Sequence, residues 1–586
     1  MNRTFLISPW TRKVTNYLFQ HEDFDGSHWT ETAEQLFFLH PTMTLYDGLL
    51  QCAAIGLVAF VISHVAKRAF SGRSTLKNIP GPPPMSWITG NMRQLYDRHQ
   101  GWDLEMDITE NYGPVAKFHG LFGEEMLFVS DPVALQTIIL KQQPIFEESP
   151  AFLLFAKMFF GEGLLSSLGE HHKSQRKILN PVFSTNHIRL LSPTFFRIVN
   201  KVRETLTKEV SQGPKEVDML DWMTRTALEL VGQGGFGYSF DSLEDDTPNQ
   251  FAETLKDTVP AVGPIYVILV FFPWITKIGS AKFRRRILEL LPWKRMQKIL
   301  EISDMLDRTG RDILTHSRET MSNGDVPEDG RDILKVLLEA NQTTGESERL
   351  SEKELLGQIS TLLFAAMDTT SGALAHALHM LAERPDVQDK LRQEILQAQE
   401  QGEDIPFDTL MNLPYLEAVC RETLRVHSPV TTLLRRTTQE TVIPLSNPIR
   451  GNDGSLVKDI PVSMNTDIHI GILACNRSKA IWGEDSFEWK PERFLSPLPQ
   501  TVTEARVPGV YSNLMSFLGG GRACIGFKFS QLEMKVVLSV LISAFRFEMP
   551  EQEIYWNHGG IQYPTVGRES DTPKLPLRLS LYKQVS

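Results

Sequence analysis

Phe517-Leu518-Gly519-Gly520-Gly521-Arg522-Ala523-Cys524-Ile525-Gly526 is the stretch on which the reading of this chain turns. It sets one cysteine in a glycine-flanked loop, two residues after an arginine and just before a helix-forming run. A thiolate at a helix N-terminus, beside a fixed cation, has a lowered pKa and suits metal ligation. Glycines admit a flat, bulky cofactor against the backbone, because they tolerate close contact and positive φ. Backbone N–H groups of such a turn can hydrogen-bond a ligating sulfur and tune the bound metal. A lone cysteine in a glycine-rich turn is more often structural. The arginine and glycines in register around this one favour the ligand.

Working outward, the chain has 586 residues, enough for one large domain or several ordinary ones. A hydrophobic share of 41% supplies a packed core, and 22% charged residues argues against disorder. The net charge of −11 excludes nucleic acid as the expected partner. Four cysteines (Cys52, Cys420, Cys475, Cys524) make no disulfide scaffold, and their spacing fits no CxxC-type zinc site. The body therefore faces a reducing compartment.

Residues 48–66 carry no formal charge and are long enough to cross a bilayer as a helix. Lys67, Arg68, Arg73 and Lys77 follow, so positive-inside bias expects residues 1–47 in the lumen and the bulk in the cytosol. A buried helix is the alternative. The sequon Asn2-Arg3-Thr4 is then a luminal glycosylation candidate. Next comes a basic, proline-rich hinge, 67–84, containing Ile79-Pro80-Gly81-Pro82-Pro83-Pro84. The body is expected from 85 to 586. Strands are predicted at 114–119 and 126–130, and again around 437–444, 463–474 and near the C-terminus. Helical periodicity dominates 185–430, notably 287–321 and 352–381. This is an α+β pattern, mainly helical.

The pattern Phe-x-x-Gly-x-Arg-x-Cys-x-Gly resembles the haem-binding loop of cytochromes P450, and further blocks stand in that family's order. Ala365-Ala366-Met367-Asp368-Thr369-Thr370 lies mid-helix, where an acid and a hydroxyl are costly without a task. Glu422-Thr423-Leu424-Arg425 puts carboxylate and guanidinium on one helical face. Pro491-Glu492-Arg493-Phe494 follows, and Gly169-Glu170-His171-His172-Lys173-Ser174-Gln175-Arg176-Lys177 precedes. The resemblance covers about residues 80–586 and implies the P450 fold behind an N-terminal transmembrane helix.

It also implies roles. Cys524 becomes the axial thiolate on the iron of haem b, with Phe517, Gly520 and Gly526 shaping its loop. Arg522 and Arg176 pair the propionates, with His172 where the family usually has Trp; His172 as iron ligand is the competing reading. Asp368 and Thr369 are the acid–alcohol pair that delivers protons for O–O cleavage, although Ala366 stands where Gly is usual. Glu422, Arg425 and Arg493 form a structural charge network. Lys173, Lys177, Lys528 and Lys535 are read as a basic rim for an acidic electron donor. Phe152–Phe155, Met158–Phe160, Leu362, Ala365 and 430–434 are read as an apolar cavity wall, and 265–274 as a segment dipping into the membrane.

The implied activity is that of a haem-thiolate monooxygenase, taking RH, O₂, NADPH and H⁺ to ROH, H₂O and NADP⁺. Electrons come from NADPH–cytochrome P450 reductase, with cytochrome b5 as a further candidate partner. The substrate expected is a lipophilic small molecule of fungal specialised metabolism, of terpenoid or polyketide type, handled at the endoplasmic reticulum membrane. The alternatives are a reductase-independent isomerase or dehydratase on the same fold, which Asp368-Thr369 disfavours, and a non-catalytic membrane-tethered haem protein.

Overall fold

A five-stranded sheet flanks the helical mass, in the order Val115–His119, Glu125–Val129, Asp467–Gly471, Thr432–Thr437 and Phe146–Glu147. The computed structural model describes residues 74–582 apart from 242, 244–248, 263–274, 324–331, 344, 346–348, 400–403 and 512. The expected luminal segment with Asn2, the anchor at 48–66 and the dipping segment at 265–274 lie outside the described residues. The chain divides into Met1–Arg73 and Ser74–Ser586, and everything below concerns the second unit. Its start lies inside the expected hinge. The proline run docks on the sheet: Pro80 O accepts the Lys117 N–H at 2.8 Å, and Leu76 and Ile79 are buried.

β1 (Val115–His119) and β2 (Glu125–Val129) form the expected hairpin. β2 pairs in parallel with β8 (Asp467–Gly471), which pairs antiparallel with β5 (Thr432–Thr437); β3 (Phe146–Glu147) closes the far edge. The remaining strands make small sheets: β6 (Thr441–Arg450) with β7 (Leu456–Val462), β10 (Ile554–Asn557) with β11 (Tyr563–Val566), and β12 (Pro576–Leu581) between β4 (Lys215–Asp218) and β9 (Phe545–Glu548). Where one strand region was expected over 463–474, helix Ile472–Asn476 follows β8 directly.

The helices that frame the site are α1 (Pro150–Phe160), α2 (Gly169–Leu179), α3 (Ser192–Glu209), α4 (Met219–Glu229), α5 (Lys294–Asn323), α6 (Glu352–Glu383), α7 (Pro385–Gln399), α8 (Pro414–Val426) and α9 (Phe527–Ala544). The helix expected over 287–321 is broken. Ala281–Leu290 ends as Leu291 turns extended (ψ 125°) ahead of Pro292, and α5 begins at Lys294. Proline's ring clashes with a preceding residue held in the α region, which accounts for the break.

α6 runs through the centre. A capping box starts it, with Ser351 Oγ accepting the Glu354 N–H while Glu354 accepts the Ser351 N–H. α4, α8 and α9 pack against it, and α9 also meets α3, where Phe195 and Phe529 stack edge to face at 5.0 Å. The main core spans these helices. A smaller core (Met92, Leu95, Phe118, Met126, Phe128) fills the other face of the five-stranded sheet.

Candidate active site

A cavity of about 620 Å³ separates α6 from the cysteine loop. Ala365, Ala366 and Thr369 line it from α6, and Phe517, Cys524 and Gly526 line it from the loop. Phe152, Phe155, Phe160, Leu362, Val430 and Thr432–Leu434 add an apolar wall, as the sequence led us to expect. Phe159 instead packs in the core, Met158 is exposed, and Thr431 is buried with its hydroxyl on Gly559 O.

The loop is held by its own backbone. Cys524 N–H donates to Phe517 O at 2.9 Å, and the Phe517 and Phe527 rings lie 4.9 Å apart. Cys524 opens onto the cavity and is otherwise enclosed by protein. That enclosure raises its thiol pKa, against the Gly526 backbone N–H and the Arg176 charge, which lower it. The expected depression by Arg522 and a helix end is therefore not what the protein alone produces; Arg176 is the cation that acts on the sulfur. Most of the glycines also serve another purpose than cofactor approach. A Cβ on Gly519 would stand 1.7 Å from Pro508 O, and one on Gly520 (φ +67°) 2.4 Å from Ile139 O. Gly520 does not line the cavity: it is required by chain reversal against neighbouring backbone. Of these glycines only Gly526 would set a Cβ near the cysteine, 4.0 Å from its Sγ.

One rim of the cavity gathers positive charge. His172 and Arg176 come from α2, Arg522 from the loop and Arg435 from β5. Burial, reinforced by Arg522 and Arg176, pushes His172 down to about 4, so its imidazole is neutral. Burial and Arg522 also lower Arg176, for which no ion-pair partner stands among the described residues. Arg522 donates to Ser167 O at 2.8 Å and pairs with Glu147 at 3.5 Å, leaving its Nε without a partner; Arg435 pairs with Glu148 at 2.7 Å. Three guanidiniums with incomplete balance fit a ligand that brings two carboxylates, and a thiol in the adjoining wall fits its metal. The residues present thus fit haem. Arg435 was not among the sequence candidates, because the side taken by a residue on a strand depends on pairing.

On α6, Thr369 Oγ1 donates to Ala365 O at 2.7 Å and lines the cavity. Asp368 does not line it. Its Oδ2 is sealed and unpartnered, and burial pushes the carboxyl up to about 7. A second acid went unread: Glu533, on α9, is fully buried with both oxygens unpartnered, and burial holds its pKa well above the carboxylate range. One turn before it, Ser530 meets Thr370 of α6 at 3.3 Å, and both line the cavity. The only sequence signal was a single acid on a helix whose other charges are Lys528 and Lys535.

Below the loop, Glu422 accepts Arg425 (2.7 and 2.8 Å), Arg493 (3.3 Å) and the Lys490 backbone N–H (3.0 Å). Arg425 is wholly buried and also donates to the carbonyls of Asn476, Ser486 and Glu488. Of the expected basic rim, Lys173 and Lys528 are exposed. Lys173 and Lys177 line a surface cleft together with His172 and Arg176. Lys535 is excluded from it: its side chain is buried, donating to Met411 O at 2.6 Å and pairing with Glu417 at 2.7 Å.

A search of protein families matches residues 80–559 to cytochrome P450. Among curated proteins, the chain is 51% identical over 540 residues to cytochrome P450 monooxygenase 91 of Postia placenta, spanning 91% of this chain and 99% of that one. It is 49% identical over 539 residues to monooxygenase 81 of the same fungus, spanning 91% and 98%. Identity is 41% over 545 residues to a ganoderic acid synthetase of Ganoderma lucidum, spanning 91% and 99%.

Proposed function

The chain belongs to the cytochrome P450 family and is a monooxygenase, and we propose that it inserts one oxygen atom from O₂ into a lipophilic small molecule, with electrons from NADPH delivered by a P450 reductase. The observation that carries this reading is that Cys524 and Thr369 line one largely apolar cavity from opposite elements. Haem, when bound, supplies the redox chemistry that activates oxygen.

The chain's own residues do the rest. Cys524 would hold the iron, and Arg176, Arg435 and Arg522 would hold the propionates, with neutral His172 able to add one ring N–H. Thr369 presents a hydroxyl to the cavity, its own proton engaged on Ala365 O, so its lone pairs are open to accept. Asp368, beside it in sequence, titrates close to neutral pH, so it can both hold and give up a proton there. The phenylalanine-rich wall binds an apolar skeleton and excludes water.

Membrane attachment belongs to the same proposal. No helix among the described residues is long and apolar enough to cross a membrane. Support comes from the uncharged run at 48–66 and from helix Ala281–Leu290, which exposes Phe283, Ile287 and Leu290 beside Arg284, Arg285 and Arg286. The ganoderic acid synthetase relative supports a role in specialised metabolism.

The test is the carbon monoxide difference spectrum of the reduced, membrane-bound protein beside Cys524→Ser. A strongly red-shifted Soret band lost in the variant is expected. A band typical of histidine ligation in both proteins would overturn the assignment in favour of His172.

A further inference from the structure

The cavity reaches both faces of the five-stranded sheet. Residues of β5 alternate, so Leu433 and Arg435 take one side and Leu434 and Arg436 the other. On that second side, Leu434 and Arg436 stand across from His469 and Asp467 of β8, next to the smaller core. Glu124, at the foot of the β1–β2 hairpin, completes a polar group in a wall shared with Met92, Tyr96, Leu121 and Met126.

The group is unevenly satisfied. Arg436 is committed to Asp467 through two contacts, the longer 2.6 Å, and reaches Glu124 only at 3.9 Å. The Glu124 carboxylate accepts no hydrogen bond among the described residues. His469 is 2% exposed and edge-on to Phe118 at 4.9 Å, and its Nε2 has no partner although the residue lines the cavity. An unpaired buried ring nitrogen is costly, and a ligand that satisfies it recovers that cost.

Resting on the monooxygenase reading above, we infer that Glu124, Asp467, Arg436 and His469 form a second subsite that holds a neutral oxygen, hydroxyl or carbonyl, at the far end of the lipophilic substrate. Burial and the neighbouring Asp467 push Glu124 up to about 7, and burial pushes His469 down to about 3, so near neutrality His469 is neutral and Glu124 exchanges between acid and carboxylate. One cation against two acids disfavours a substrate carboxylate. A hydroxyl can accept from protonated Glu124, donate to ionised Glu124 and complete His469 Nε2.

The experiment uses the full-length holoenzyme in lipid nanodiscs and displaces bound Nile red with 5α-androstan-3β-ol, 5α-androstane or 5α-androstane-3β-carboxylate. Partition into lipid is common to all proteins, so ratios between wild type and variant isolate the site. Wild type is expected to favour the alcohol over the hydrocarbon and the carboxylate. In His469→Phe the advantage over the hydrocarbon shrinks about five-fold, the size of one lost hydrogen bond, while hydrocarbon affinity holds. Glu124→Gln, whose amide can still bond a hydroxyl, keeps the alcohol preference and raises relative carboxylate affinity. Equal displacement by alcohol and hydrocarbon in wild type, an unchanged advantage in His469→Phe, or a wild type that prefers the carboxylate each overturns the subsite and leaves the apolar cavity standing. Displacement by none of the three removes the lipophilic-substrate reading and the subsite with it.

Discussion

The side-chain carbonyl of Asn476 accepts the backbone N–H of Met515 at 2.8 Å, two residues before Phe517 opens the cysteine loop. The Asn476 backbone carbonyl accepts Arg425 at 3.0 Å, and its amide donates to Ser516 Oγ at 3.0 Å, which in turn donates to Leu424 O. Through this one buried residue the Glu422–Arg425–Arg493 network is tied to the loop that carries Cys524.

Asn476→Ala leaves the Met515 N–H and the Ser516 hydroxyl short of a partner, so it is expected to cost about 1–3 kcal/mol. Thermal melting should fall and haem should be lost faster on transfer to an acceptor protein. Wild-type haem retention would break the proposed link.

Arg425→Ala leaves the fully buried Glu422 with Arg493 as its one charged partner beside the Lys490 N–H, and removal of one member of a buried pair costs about 3–5 kcal/mol. The double variant Glu422→Gln/Arg425→Met carries no stranded charge and is expected to lose less than the sum of the two single changes. Urea unfolding of the four proteins measures this coupling; simple additivity would mean that the groups do not act as one network.

Asp368 has a raised pKa in the folded protein, from an ordinary 3.8 to about 7, so the native state holds a proton that the unfolded chain has released. Stability withheld by this group is nil below pH 4, grows as pH rises and is complete above 7, at about 4 kcal/mol at most. Asp368→Asn cannot titrate. Wild type should therefore lose stability relative to the variant between pH 4 and 7, as read by melting curves across that range, and parallel curves would contradict the buried, unpaired carboxyl.

Thr369→Ala removes the hydroxyl in the cavity wall while leaving the cysteine loop untouched. The carbon monoxide spectrum should stay as in wild type, while more hydrogen peroxide and less product form per NADPH consumed. Unchanged coupling would remove Thr369 from proton delivery.

Gly519→Ala forces a Cβ to 1.7 Å from Pro508 O, a backbone atom that cannot swing aside, whereas Gly526 has φ −81° and its Cβ would meet only Cys524 Sγ at 4.0 Å. Gly519→Ala is expected to abolish or severely reduce folded, haem-containing protein. Gly526→Ala should leave the haem-free fold intact, with an apoprotein melting temperature within about 2 °C of wild-type apoprotein, since an uncrowded substitution is worth under about 0.5 kcal/mol.

Much of the site was legible because its signals are local. The spacing Glu422-x-x-Arg425 sets two charges on one helical face, and an acid beside an alcohol in an apolar helix is conspicuous wherever that helix packs. Lys535 was misread for the converse reason. Helical spacing says which residues share a face of α9 but not which face docks, and α8 and the Met411 carbonyl enclose this one. Glu533 was passed over because a buried acid with no partner leaves no mark in sequence beyond its apolar neighbours.

The sequence by itself determined the family, the candidate thiol, the acid–alcohol pair and the helix-borne ion pair, all of which depend on covalent spacing within a turn or two. Tertiary structure alone decided that Asp368 lies outside the cavity lining and that Gly519 and Gly520 serve the loop's own packing. It alone divided Arg435 from Arg436, sending one to the cation rim and the other to Asp467. Those outcomes depend on strand pairing and on which surfaces meet across long stretches of chain. A residue's charge is written in the sequence, but its surroundings, and hence its protonation and reach, arise only when distant elements pack.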